Sequence, residues 1–129
     1  MSNPQACEIV LNQLIAHPEK HWQYTFWCGT AGCVAGWACQ LYKEGKIHLT
    51  DEEWQPKDSD FDLEPEWLAY FKANHGGYFE RGQLILGLTT DEASFLFNGG
   101  LEHDTCLYAL KALMDGLPIL DSNTGEPLF

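Results

Sequence analysis

Between residues 26 and 39 the chain reads FWCGTAGCVAGWAC: three cysteines, three glycines and two tryptophans in fourteen residues. No other stretch limits the fold so sharply. At about 100° per residue, a helix from about Ala31 to Tyr42 spreads Val34, Ala35, Trp37, Ala38, Cys39, Leu41 and Tyr42 over more than half its circumference. Gly32, Gly36, Gln40 and Lys43 occupy the remaining sector. A helix so apolar belongs at the centre of a protein. Thr30 is placed to cap it, and Gly45 stands just beyond its end. Glycines inside a helix cost on the order of 1 kcal/mol each relative to alanine. Close packing across Gly32 and Gly36, or something bound there, must offset that cost. The block Cys28, Gly29, Thr30, Cys33, Gly36 and Trp37 therefore reads as a structural motif, with Cys33, Trp37 and Leu41 buried.

Two chemical readings compete with packing. A cysteine just upstream of a helix start is favoured as thiolate by the helix dipole, which makes Cys28 a candidate nucleophile. CGTAGCVAGWA resembles the Cys-Gly-Ser-Cys-Trp segment of papain-like hydrolases, and His48, His75 and His103 follow as possible bases. The spacing departs from that family, and no orienting Asn or Asp can be picked out. A metal site would need Cys28, Cys33 and a remote histidine such as His21. The chain has no Cys-x-x-Cys pair, and Cys33 and Cys39 point in different directions on a helix. No metal and no cofactor are expected.

The flanking segments are helical in pattern. In NPQACEIVLNQLIAH, Asn3 caps, Pro4 suits the first helical position, and Cys7, Val10, Leu11 and Leu14 share a face until Pro18 ends the run. The aromatic stretch EKHWQYTFW is expected against the core. Residues 46–64 are irregular, with a single turn at TDEEW. EPEWLAYFKANHGG reads as a short helix burying Trp67, Leu68 and Phe71. GYFERGQLILGLTTDEASFLFNGG reads as two helices broken at Gly87, the second capped by Thr89 or Thr90. In the last helix Cys106, Leu107, Leu110, Leu113 and Met114 lie opposite Tyr108, Lys111 and Asp115, and Gly116 and Pro118 stop it. The tail from Leu117 is either an ordered extension or a weak hairpin. The expected fold is mainly α: one domain over 1–129, with its core at about 4–116 and a C-terminal extension over 117–129. Five or six short helices would form a compact bundle around the central one.

Charge narrows the partners. Seven Lys and Arg stand against nineteen Asp and Glu, a net charge of −12 with histidine neutral. Such a chain repels nucleic-acid phosphates and anionic lipid and attracts basic protein surfaces. LGLTTDEASFLF is therefore no DNA-reading helix-turn-helix, because Arg81 is the only arginine in the chain. Residues 51–66 hold eight acids and one lysine. Asp58, Asp60 and Asp62 match the first three ligand positions of a calcium loop. Leu63 and Ala69 occupy its glycine and bidentate-glutamate positions, so the calcium match is incomplete. Asp58, Asp60, Asp62, Glu64 and Glu66 then form either a solvated loop or an acidic surface for a basic partner. The five cysteines have no disulfide-scaffold spacing, and neither a signal peptide nor a membrane-spanning run is visible. A reduced, cytoplasmic protein is expected.

The CGTAGCVAGWA block, the LGLTTDEASFLF block and the final ALKALMDG helix together resemble small uncharacterised proteins of bacteriophages and bacteria. The resemblance frames roughly residues 5–116. It implies a phage-like setting and a structural role for the cysteine-glycine block, and it transfers no catalytic residue or cofactor. The favoured function is a non-enzymatic protein that binds a basic protein surface, in its sharpest form inhibiting a host defence or nucleic-acid-handling protein by mimicking phosphates. A cysteine hydrolase using Cys28 and a housekeeping domain are the alternatives.

Overall fold

The computed structural model describes residues 3–25, 28–29, 31–50, 78–121 and 123–128. Among them the chain is mainly helical. The helices are α1 (Pro4–Ala16), α2 (Val34–Lys43), α3 (Tyr78–Leu86), α4 (Thr90–Leu96) and α5 (His103–Met114), with a 3-10 turn at Pro18–Lys20. The expected helix and buried stripe at residues 64–77 lie outside the described residues, as does the turn at 50–54 beyond Thr50.

Local signals account for most helix ends. The Asn3 side chain accepts a hydrogen bond from the Ala6 N–H at 3.2 Å, and Pro4 occupies the first turn. Thr89 and Glu92 form a reciprocal capping box at the start of α4, with bonds of 3.2 and 2.9 Å. Three helices stop by one device. Gly45, Gly87 and Gly116 adopt φ of 78°, 68° and 77°, a region in which a side chain would be strained. Each turns the chain so that two amides reach back to the last helical carbonyls: Gly45 to Tyr42 and Lys46 to Leu41, Gly87 to Leu84 and Leu88 to Gln83, Gly116 to Leu113 and Leu117 to Ala112.

The helices pack chiefly as two pairs, α1 with α5 and α2 with α3, and α1 also touches α2 and α3. The contacts do not single out α2 as a hub, since α1 is the helix that joins both pairs. One apolar core collects Cys7, Val10, Leu11 and Leu14 from α1, Cys106, Leu110 and Leu113 from α5, and Val34 to Ala38 from α2. Cys33, Trp37 and Leu41 are 1%, 6% and 1% exposed. Ile119 is fully buried as well, so the core reaches past residue 116. The tail folds back on that anchor. Leu128 N–H bonds the Ile119 carbonyl, Asp121 N–H the Glu126 carbonyl, and the Asp121 carboxylate caps the turn at Asn123 and Thr124. It is a short hairpin.

Two expectations about the cysteine-glycine block need correction. The helix begins at Val34, with Cys33 rather than Thr30 at its N-cap position and no side-chain cap bond. Thr30 itself lies outside the described residues. Residues 31–33 are extended because their backbone groups are engaged elsewhere: Gly32 bonds Lys20 and Trp22, Cys33 N–H bonds Thr25, and Ala31 pairs with Cys28. Gly29, at φ 68°, makes the turn between Cys28 and Ala31. Gly32 is therefore no part of a helical glycine face. Gly36 is buried in α2, and the opposing helix brings a close approach of its own. A Cβ placed on Gly82 of α3 would lie 2.9 Å from Ala35 Cβ, 3.0 Å from Ala35 Cα and 3.2 Å from Phe97 Cζ.

Candidate functional site

The segment after α1 carries the most developed polar geometry among the described residues. Pro18 begins a 3-10 turn, His21 then pairs with Gly32, and residues 22–25 form a turn closed by the Thr25 N–H on the Trp22 carbonyl, beside 31–33. Trp37 holds this segment from below, its Nε1–H donating to the Lys20 carbonyl at 3.0 Å. The segment thus lies against the core through its backbone. Its rings turn the other way. Trp22 and Tyr24 are 36% and 75% exposed and stack on one another, with centroids 6.0 Å apart and planes 13° from parallel.

His21, on the same segment, meets His103 at the start of α5. Gln23 fixes which nitrogens carry hydrogen. Its Nε2 donates to the Leu96 and Asn98 carbonyls at 2.7 and 3.0 Å, which only the NH2 end of the amide can do. Oε1 therefore faces His21, whose Nε2 lies 2.8 Å away and must carry a hydrogen. A neutral His21 then has a bare Nδ1. The His103 Nδ1, 2.6 Å from it, supplies the hydrogen between them. The rings meet head-on: the 4.9 Å between centroids is the Nδ1 separation lengthened by two ring radii of about 1.15 Å. This is a shared-hydrogen contact. A proton on His21 Nδ1 would set two donors face to face. Burial holds the His21 imidazole below its ordinary value; the Gln23 bond opposes that shift and His103 adds to it.

Beside this chain of contacts lies a pocket of about 340 Å³ lined by Gln23, Tyr24, Thr25, Cys33, Phe97 and Gly99. Gly99 packs in ordinary van der Waals contact with the backbone of Gln23 and Tyr24, which a Cβ there would meet at 3.6 Å. The loop after α4 and the 20–25 segment thus form its facing walls, and Gln23 ties them together.

The cysteines divide by burial. Cys7, Cys39 and Cys106 are buried, and burial pushes their thiols up to about 12. Burial raises Cys33 too, against bonds from the N–H groups of Gly36, Ala35 and its own backbone. Cys28 is the exposed thiol. It sits on the turn at Gly29, well before the start of α2, so the helix-dipole argument for an activated Cys28 loses its structural basis. Among the described residues no histidine bonds to it, and His103, one of its candidate bases, is engaged with His21. His75 lies outside the described residues. No group of three or more His, Cys, Asp or Glu side chains converges among the described residues, so Cys28, Cys33 and His21 do not form a metal site there. No helix among them is long and apolar enough to cross a membrane.

Asp58, Asp60, Asp62, Glu64 and Glu66, the expected partner-binding acids, lie outside the described residues. The structural motif is brought together as a turn (Cys28, Gly29), an extended stretch ending at Cys33, and the buried face of α2 (Gly36, Trp37). Sequence reasoning assigned His21 and His103 to other roles and missed their pairing, which joins residues 82 positions apart. Gln23 carried no signal at all. Arg81, the only arginine, is 4% exposed on α3, and its Nε has no hydrogen-bond partner among the described residues. Its charge counters the burial that raises the Cys39 thiol. The chain matches no family model, no curated protein and no solved structure.

Proposed function

We propose that the protein is a non-enzymatic interaction factor that binds a basic surface on another protein. The observation that carries this reading is the charge balance. Nineteen acids face seven Lys and Arg across the chain. A net charge of −12 gives the molecule a field that attracts cationic partners and repels nucleic acid. In the sharpest form of the proposal the partner is a nucleic-acid-handling or defence protein of a phage host. Asp58, Asp60, Asp62, Glu64 and Glu66 would take the places of backbone phosphates on its basic face.

The test is affinity capture from the source cell, identification of the bound protein, and titration of the complex with salt. Binding should fall steeply as salt rises, because exposed charge pairs are screened beyond about 8 Å at physiological ionic strength. Reversing Asp58, Asp60 and Asp62 to lysine should weaken it by a further 1–3 kcal/mol or so where those contacts are partly desolvated. A complex indifferent to both salt and charge reversal would overturn the mechanism.

A further inference from the structure

We infer that the pocket between the 20–25 segment and the loop after α4 receives an arginine side chain from the protein partner, its guanidinium stacked on Tyr24. The inference rests on the basic-partner reading and gives it a place in the fold. Size is the first argument. At about 340 Å³ the pocket is at the low end of the range for ligand sites, suited to one long side chain. Its walls are the second argument. Tyr24 and Phe97 bring aromatic rings to it, and a guanidinium within about 6 Å of a ring face is attracted by the ring quadrupole.

The polar inventory points the same way. Among the described residues that line it, none carries a positive charge. The Gln23 amide donors are held by the Leu96 and Asn98 carbonyls, and the Cys33 N–H by the Thr25 carbonyl. The Tyr24 and Thr25 hydroxyls offer acceptor oxygens, and the Gln23 and Gly99 carbonyls accept no bond among the described residues. A planar, weakly hydrated cation with several N–H donors satisfies both the rings and the oxygens, whereas a strongly hydrated ammonium loses more water on entry. Charge complementarity supplies the rest, since the site belongs to a chain of net charge −12. Trp22 extends the aromatic surface beyond Tyr24. Exposed Trp and Tyr are the side chains on which protein interfaces most often concentrate their affinity.

Capped tripeptides Gly-Arg-Gly, Gly-Lys-Gly and Gly-norleucine-Gly provide the probes, titrated at millimolar concentration against the full chain with backbone amide NMR as the readout. The arginine peptide should shift the amides of Gln23, Tyr24, Thr25 and Gly99, the lysine peptide less, and the norleucine peptide least. Tyr24→Ala, at an exposed position, should weaken arginine binding about two- to fivefold, the worth of one exposed cation–π contact, while Tyr24→Phe retains it. Equal shifts from arginine and norleucine would overturn the inference by showing an apolar pocket. Arginine shifts confined to other amides, such as those of residues 51–66, would overturn it and leave the basic-partner reading standing. No shift anywhere with either cationic peptide would overturn the inference, while the salt titration of the captured complex decides the basic-partner reading.

Discussion

Helices α1 and α5 pack together with Val10, Leu11 and Leu14 buried on one and Cys106, Leu110 and Leu113 on the other. The 20–25 segment, by contrast, buries none of its described side chains, yet it is fixed to residues 31–33 by backbone hydrogen bonds and to α2 through Trp37. The first region is held by apolar area, which every residue of its stripe shares. The second is held by a few directional bonds and leaves its aromatic rings free to meet something else. That difference teaches where stability and function separate in this molecule. Substitutions in the helix pair should be felt globally, and substitutions in the segment should be felt locally and at the pocket.

The sharpest way to break the comparison is to hollow the helix pair. Leu14→Ala, at a position with no exposure, should cost about 2–5 kcal/mol in chemical denaturation. A cost below about 1 kcal/mol would mean that α1 is not held by burial. Gly82→Val should come next, at about 1–3 kcal/mol, because the added carbons meet the Ala35 backbone across the α2–α3 contact. Gly82→Ala sharpens this test. Its gain in helix propensity of about 1 kcal/mol works against the clash, so a net loss of stability would isolate the steric term.

On the segment side, the expected effect is smaller and depends on pH. The folded His21 resists protonation relative to the unfolded chain, so the folded state binds fewer protons. Its contribution to stability is fully present above the unfolded value of about 6.5 and is lost as pH falls through the lower folded value. The denaturation midpoint should therefore drop on acidification in that window. His21→Asn should flatten the slope, and an unchanged slope would show that the His21–His103 contact does not hold the segment. The smallest effect belongs to Cys28→Ser, expected within about 0.5 kcal/mol of the parent because the thiol is exposed on a turn. Iodoacetamide should alkylate Cys28 well ahead of Cys7, Cys33, Cys39 and Cys106. A buried cysteine reacting first would contradict the packing.

Much of the helical framework is readable residue by residue. Asn3 with Pro4, Thr89 with Glu92, and the stops at Gly45, Gly87 and Gly116 act within one turn of their own position, so the sequence displays them directly. Gly82 left a weaker trace. A glycine inside the ERGQLIL helix implies a packing reason without naming Ala35 as the partner. The candidate site left almost none, because each of its contacts joins distant residues. Gln23 reaches Leu96 and Asn98, and His21 reaches His103.

What the sequence determined by itself, then, is the mainly helical class, most helix ends, the apolar stripes of α1 and α5, and the acidic charge. These follow from periodicity, caps and composition, which are local or additive properties. Tertiary structure alone decided that α2 starts at Val34. A helical pattern describes side chains, and it cannot register that the backbone of residues 31–33 is already bonded to residues 20–25. Tertiary structure also placed the pocket and gave each imidazole its hydrogen. A tautomer depends on which acceptor faces the ring, and that acceptor is placed by the path of the whole chain.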